Sequence, residues 1–319
     1  MRPGCLSPRS IKGGITVKEE CFSEGLRQHN LLAGVLHEFS SFLTYKMKLG
    51  STKNLKCPVL RAVCFLFIFQ FFVLGTSAVL KVEAGEMILI PEGPFTMGSF
   101  EKDIQWAARQ FRSESLDWYR DETPAHTVTL SAFKIDKYEV TVAEYTVYME
   151  ATGKPPPREF DNLRLNHPRQ PVVSLTWQLA KDYCLWAKKR LPTEAEWEKA
   201  ARGTNARYYP WGNEPDAMNA NIRGKGDNYR NTSPGGKFPE GASPYGVMDL
   251  SGNVWEWTED WFQPYPGNEY DNEFYGEKFK VIKGGSWNSN LDLARSAVRG
   301  KAIPGDKKNY IGFRCVSSK

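Results

Sequence analysis

Tryptophan, glycine and proline decide what this chain can fold into. All ten tryptophans lie after residue 79, in segments that Gly and Pro interrupt at short intervals. Such punctuation leaves no room for long helices or long uninterrupted strands. The sequence therefore predicts an α+β domain low in regular secondary structure, with long loops packed against bulky rings. Its 319 residues would build one large domain or two small ones. No internal repeat and no interior linker marks a second unit.

Charge divides the chain at the same place. Residues 1–78 carry ten Lys/Arg against four Asp/Glu, whereas residues 79–319 carry 32 against 33. The formal net charge of +5 thus belongs to the N-terminal part, and the remainder offers no basic face for nucleic acid. The N-terminal part contains the apolar run from Ala62 to Leu74, preceded by Lys48, Lys53, Lys56 and Arg61 and followed by Thr76-Ser77-Ala78. A basic start, a short apolar stretch and small residues at the end predict a secretory signal peptide over residues 47–78. The run is short for a membrane-spanning helix, which needs about 20 residues, so an uncleaved signal anchor is the alternative and the one route to a membrane. On this reading Met47 is the true start, residues 1–46 are a mis-assigned extension, and residues 79–85 form a short linker. The domain proper occupies 86–319, exported to a periplasm or secreted. No cysteine follows the small residues closely, so no lipid-modified N-terminus is expected.

Cleavage after residue 78 leaves Cys184 and Cys315 as the remaining cysteines. An oxidising compartment favours a disulfide between them over two separate buried thiols. Closing a 131-residue loop contributes about 5 kcal/mol in the chain-entropy account, an upper-end figure.

Local signals place several elements. Met87-Ile88-Leu89-Ile90-Pro91 opens with a strand, and His126–Leu130 and Phe133–Val140 are two more. Residues 100–122, with Trp106, Trp118 and Tyr119, lack clean periodicity and predict an ordered loop or short helix. Thr141-Val142-Ala143-Glu144 is a capping box opening a helix that runs to Thr152, with Gly153 as its stop. Thr176 opens a helix over Trp177–Lys188, and Thr193-Glu194-Ala195-Glu196 is a second capping box. Residues 154–170 form a Pro-rich loop, and the chain beyond 203 reads as loops, Gly turns and short strands.

Several motifs recur in a specific order. They are Ile90-Pro91-Glu92-Gly93-Pro94-Phe95-Thr96-Met97-Gly98-Ser99, Lys137-Tyr138-Glu139-Val140-Thr141 and Pro171-Val172-Val173-Ser174-Leu175-Thr176-Trp177. Arg190-Leu191-Pro192-Thr193-Glu194-Ala195-Glu196-Trp197-Glu198 and Tyr209-Pro210-Trp211-Gly212-Asn213 follow. Gly246–Trp257, Lys283-Gly284-Gly285-Ser286-Trp287 and Gly312-Phe313-Arg314-Cys315 complete the series. The series resembles the formylglycine-generating enzyme / sulfatase-modifying factor family over about residues 86–318. The resemblance implies a single compact domain of the C-type-lectin-like type.

Founding members of that family oxidise a sulfatase cysteine with copper held by two thiolates just after the Gly-Gly-Ser aromatic motif, with four residues between them. Soft sulfur ligands suit Cu(I). Here that stretch reads Trp287-Asn288-Ser289-Asn290-Leu291-Asp292-Leu293-Ala294-Arg295. Ser289 and the region of Leu293–Arg295 stand where the thiols belong. A neutral hydroxyl cannot replace a thiolate on Cu(I), so copper-dependent oxidation is not expected. The resemblance also matches Cys184 and Cys315 to one family disulfide. Both partners of a second are absent, with Ala201 at one of the positions.

Calcium is the cofactor the resemblance implies. One ligand set is Asn221, the Ile222 carbonyl, Asp227 and the Tyr229 carbonyl. The other is Asp249, the Gly252 and Val254 carbonyls and Glu256. Alternating carbonyl and carboxylate oxygens on irregular loops suit Ca²⁺, which takes six to eight of them. The alternative is that Asp249 and Glu256 cap or solvate a Trp-rich turn.

No other chemistry has a complete residue set. His126 and His167 sit on separate segments, whereas non-heme iron needs two imidazoles with a carboxylate. There is no phosphate-binding Gly loop, nucleophile elbow or HExxH helix. Ser286, Ser289 and Asp292 form a degenerate site that would line a polar cleft for an exported protein, peptide or glycan. Trp287 is then either its wall or a core residue behind the Gly-Gly turn. Two functions follow from the sequence. One is a calcium-stabilised binding or accessory module; the other is a family oxidoreductase with a cysteine-independent site.

Overall fold

A computed structural model describes residues 85–224 and 229–318. The extension, the signal segment, nearly all of the linker and Asp227 lie outside the described residues.

Three small sheets carry the fold. Strand β1 (Met87–Ile90) and β9 (Val316–Ser318) both pair antiparallel with β4 (Phe133–Asp136). The pair β2 (Gly93–Met97) and β3 (His126–Leu130) forms a second sheet. The third has the order β7-β6-β5-β8, from β5 (Trp255–Trp261), β6 (Lys280–Lys283), β7 (Gly300–Ala302) and β8 (Ile311–Gly312). Its β5–β8 pair is parallel. First and last strands thus close on one sheet, which joins the two ends of the domain.

Among the described residues there are four α-helices. Helix α1 spans Glu101–Phe111, α2 Val142–Thr152, α3 Trp177–Trp186 and α4 Glu194–Arg202. Both expected capping boxes form. Thr141 Oγ1 accepts from Glu144 N–H at 3.3 Å while Glu144 returns a 2.8 Å bond to Thr141 N–H. Thr193 and Glu196 repeat the exchange at 3.1 and 2.9 Å. Gly153 ends α2 in the left-handed region at φ 68°.

One open reading is decided and two expectations are corrected. Residues 101–111 take the helical alternative, because Ile104 and Ala107 bury against Tyr119 while Trp106 stacks on Tyr208 at 4.3 Å. Helix α3 stops at Trp186, two residues early, since Lys188 turns left-handed at φ 59° and Lys189 N–H bonds back to Cys184 O. Strand β4 ends at Asp136, short of Val140, since the Arg314 guanidinium takes the carbonyls of Asp136 and Lys137 at 3.0 and 3.1 Å.

Two apolar clusters dominate the interior. Tyr145, Tyr148 and Tyr183 on α2 and α3 pack with Leu175, Trp257 and Phe313. Trp197, Ala200 and Ala201 on α4 pack against Ile90, Ile135, Val247 and Val316. Cys184 and Cys315 are joined, their Cα atoms 5.7 Å apart, and pin α3 to the segment before β9. Ala201, where the resemblance places a family cysteine, is fully buried in the second cluster. Among the described residues no helix is long and apolar enough to cross a membrane.

Replacing Cys184 and Cys315 together by serine should lower unfolding free energy by about 2–5 kcal/mol. Urea titration of the full chain measures this, and an unchanged midpoint and slope would contradict it.

Candidate functional site

The segment that the resemblance marks as the candidate site starts where β6 ends. Gly284 and Gly285 follow Lys283 at φ 96° and 74°, a backbone that side chains rarely adopt. A Cβ on Gly284 would lie 3.0 Å from the Trp197 ring, and one on Gly285 3.0 Å from Leu293 O. The double glycine therefore brings this segment against α4 and against its own continuation.

Buried ion pairs fix its position. Lys283 Nζ lies 3.0 Å from Glu198 Oε2, and both side chains are shut off from solvent. Glu198 Oε1 accepts from Gly98 N–H at 2.7 Å and from Arg202 at 2.9 Å. Burial alone would raise the Glu198 carboxyl, but Lys283 and Arg202 hold it below its ordinary range. Arg299 makes two bonds to Glu194, and Arg295 grips Glu122 through two nitrogens at 2.9 and 2.7 Å.

Within this frame the two serines serve each other. Ser289 Oγ accepts from Ser286 N–H at 3.1 Å and lies 3.1 Å from Ser286 Oγ, which donates to Asn288 Oδ1 at 2.7 Å. Both serines are buried. They form the inside of a tight turn, with no imidazole beside them. His126 Nδ1 contacts Pro124 O, and His167 Nδ1 accepts from Arg169 N–H, on other segments. Trp287 is half-buried, with its indole N–H directed at Asn309 O at 3.4 Å, so it does not fill the core. Asp292 Oδ1 is closed off from solvent and has no hydrogen-bond partner. Its charge acts on Tyr119 and Tyr209, and Arg295 Nε donates to its carbonyl at 3.1 Å.

Of the first expected calcium set, Asn221, Ile222 and Tyr229 are described. Asn221 bridges Gly252, whose φ of 81° and 2.2 Å Cβ clearance to Asn221 O require glycine. Asn221 Nδ2 donates to Asn231 O and Asn253 Oδ1 at 2.9 and 3.1 Å, while its own Oδ1 is buried without a partner. An amide oxygen left in that state fits a cation ligand. Ile222 is buried and Tyr229 partly exposed, both on the same stretch.

The second set is more committed. Arg314 takes both oxygens of Glu256 at 2.7 and 2.8 Å, and Trp197 Nε1 adds a third bond at 2.9 Å. Asp249, at φ 57°, accepts from Gly236 N–H at 2.7 Å. Its carboxyl is pushed up to about 6, first by burial and then, among the neighbouring charges, by Glu256. Glu139, buried beside them, is raised well above its ordinary value by burial and by Asp249. Three carboxylates thus share one arginine. A cation there would use Asp249 and share Glu256 with Arg314. Among the described residues no three His, Cys, Asp or Glu side chains come together as a metal-holding group.

Sequence reasoning singled out neither Glu139, Glu122 nor Arg314 as site-forming, and Arg295 only as part of the stretch at the thiol positions. Arg314 lay in a quoted motif, and its pairing with Glu256 was a recoverable signal. The Glu122–Arg295 pair, 173 residues apart, left none.

With this geometry in view, the chain can be set beside known proteins. The family profile described as "Sulfatase-modifying factor enzyme 1-like domain" matches residues 74–319. The serine/threonine-protein kinase pkn1 of Chlamydia caviae is 34% identical over 257 residues, covering 72% of this chain and 38% of the kinase. The chain thus spans well under half the length of that relative. The formylglycine-generating enzyme of Bos taurus is 31% identical over 293 residues, covering 73% of this chain and 74% of the enzyme. Among solved structures, PvdO from Pseudomonas aeruginosa superposes with a TM-score of 0.61 at 30% identity, covering 75% of this chain and 96% of PvdO.

Two measurements test the charge frame. Lys283→Met leaves Glu198 short of a cation and should cost about 3–5 kcal/mol in a denaturant titration; a loss below about 1 kcal/mol would contradict the frame. Asp121, 7% exposed, has its carboxyl pushed up to about 6 by burial and by Glu122. A carboxyl raised in the fold contributes stability when protonated, fully present below about 3.9 and lost as pH rises through about 6. Asp121→Asn should therefore add about 2–3 kcal/mol at pH 7.5 and little at pH 4. An effect equal at both pH values would contradict that assignment.

Proposed function

The chain belongs to the sulfatase-modifying factor enzyme 1-like family, and on that premise we propose that it is an exported, calcium-stabilised binding or accessory module without copper-dependent cysteine oxidation. The observation that carries this reading is the state of the two thiol positions. Ser289 is engaged with Ser286, and Ala294, five residues on, is a fully buried methyl packed with Ala220 and Ile222. Neither offers sulfur, and Cys184 and Cys315 are consumed in their disulfide. A Cu(I) site needs soft ligands, and nothing at this turn supplies them.

The same turn retains features of a recognition surface. Trp287 offers part of an indole, and Asn288 beside it is partly exposed. A peptide or glycan would gain apolar contact from that ring. The partner is accordingly an exported protein, peptide or glycan.

Calcium supplies charge neutralisation and cross-links loops when bound. Asn221 Oδ1, with the Ile222 and Tyr229 carbonyls and Asp227, would hold one ion. Asp249, Glu256 and the Gly252 and Val254 carbonyls would hold the other. The orphaned amide oxygen favours the first set, and the surplus of buried carboxylate around Arg314 favours the second. Export rests on the signal-like segment at residues 47–78.

Incubating the Cu(I)-loaded protein with a sulfatase-motif cysteine peptide should give no formylglycine by mass spectrometry; product at catalytic turnover would overturn the reading. Adding Ca²⁺ to chelator-treated protein should raise its melting temperature by several degrees, as about 2.7 kcal/mol of ligand linkage at a hundredfold excess over Kd requires. No shift would remove calcium from the account.

A further inference from the structure

A cavity of about 510 Å³ lies between the segments 99–101, 120–125 and 267–271, and none of Ser286, Trp287, Ser289 or Asp292 lines it. Ligand pockets run from about 300 to 1,000 Å³, so the space is of binding size. Hydrogen bonds cross-link its walls. Asn268 Nδ2 donates to the carbonyls of Arg120 and Thr123 at 2.9 and 2.6 Å. Ser99 N–H donates to Glu122 O at 2.7 Å, and Ser99 Oγ to the Glu122 carboxylate at 2.9 Å. Gly98, at φ 82°, allows that approach, since a Cβ there would lie 2.6 Å from Glu122 O. Three segments distant in sequence are thereby held around one preformed space.

The lining chooses the ligand. Glu101, Glu269 and Asp271 are exposed there, and among the described residues none of them enters an ion pair. Arg120 also lines the cavity, but its Nε is engaged with Asp117 at 2.7 Å. Carboxylates thus come from two of the three walls, and their fields add in the concave space. Phe100 stands at the same place, 45% exposed, at the N-cap of α1. Helix stability favours Ser, Thr, Asp or Asn at that position, and phenylalanine supplies no acceptor. An exposed ring where the local rule asks for a polar residue marks a surface with another use. Lys102 Nζ already stands 5.3 Å from its ring centroid, so the ring attracts a cation. Tyr270, partly exposed, adds a second ring to the lining.

We propose that this cavity binds a basic segment of a partner protein, with an arginine or lysine side chain entering it. The charged head meets Glu269 and Asp271, and the aliphatic stem lies along Phe100 and Tyr270. The space is larger than one ammonium or guanidinium group, and Glu101 on a separate wall suits a second basic side chain. A chain segment therefore fits better than a free amine. The site depends neither on calcium nor on the residues at the thiol positions.

The test titrates the full chain into a fluorescein-labelled octapeptide of alternating arginine and alanine, read by anisotropy at low and at high salt. The peptide should bind saturably and more weakly in high salt. A glutamate–alanine octapeptide should not compete, and spermidine should compete far less well than the unlabelled arginine peptide. Glu269→Gln combined with Asp271→Asn should weaken binding about tenfold. Phe100→Ser should weaken it about threefold, with a melting temperature equal to or above that of the unaltered chain, since serine caps α1. Normal binding by the carboxylate double variant overturns the proposal, as does equal competition by the glutamate peptide or by spermidine. A binding loss that both variants share with a lowered melting temperature is structural and overturns it too. None of these results bears on the calcium and copper measurements, which decide the preceding reading by themselves.

Discussion

Glu198 is the group on which the rest of the structure depends. One buried carboxylate receives the Gly98 amide, the Arg202 guanidinium and the Lys283 ammonium. It thereby ties the end of β2, helix α4 and the end of β6 at a single point. Buried ion pairs contribute little net stability over apolar packing, since desolvation offsets attraction. Their effect lies in what happens when one partner moves: the other is left charged and dry. Glu194–Arg299, Glu122–Arg295 and Glu256–Arg314 repeat the device around the same segment. A domain with so few regular elements keeps one arrangement of its loops because each alternative would strand a buried charge.

That frame, with two glycines and Trp197, sets the path of the segment after Gly285. Within it Ser289 is a turn-closing acceptor and Ala294 a core methyl.

What was legible in the sequence was what acts locally. The Thr141 and Thr193 capping boxes, the Gly153 stop and the Cys184–Cys315 bridge depend on neighbouring residues or on a short list of candidates. The choice between loop and helix at α1 was not legible because Tyr208, on which Trp106 stacks, comes from elsewhere in the chain. The length of β4 was hidden because Arg314, 178 residues away from Asp136, ends the ladder. Glu256 looked like a calcium ligand from its motif alone. Its bidentate hold by Arg314 emerges only when the two motifs meet in space. Asn221 Oδ1 is buried without a hydrogen-bond partner, which no local pattern encodes.

The central claim is that this domain is organised by charge and by calcium, with no redox metal at its degenerate turn. Elemental analysis tests it most directly, on the full chain purified without chelators or metal-affinity resin. The account predicts stoichiometric calcium with only traces of copper and iron. Stoichiometric copper or iron would contradict it and point to an enzyme whose ligands are not cysteines.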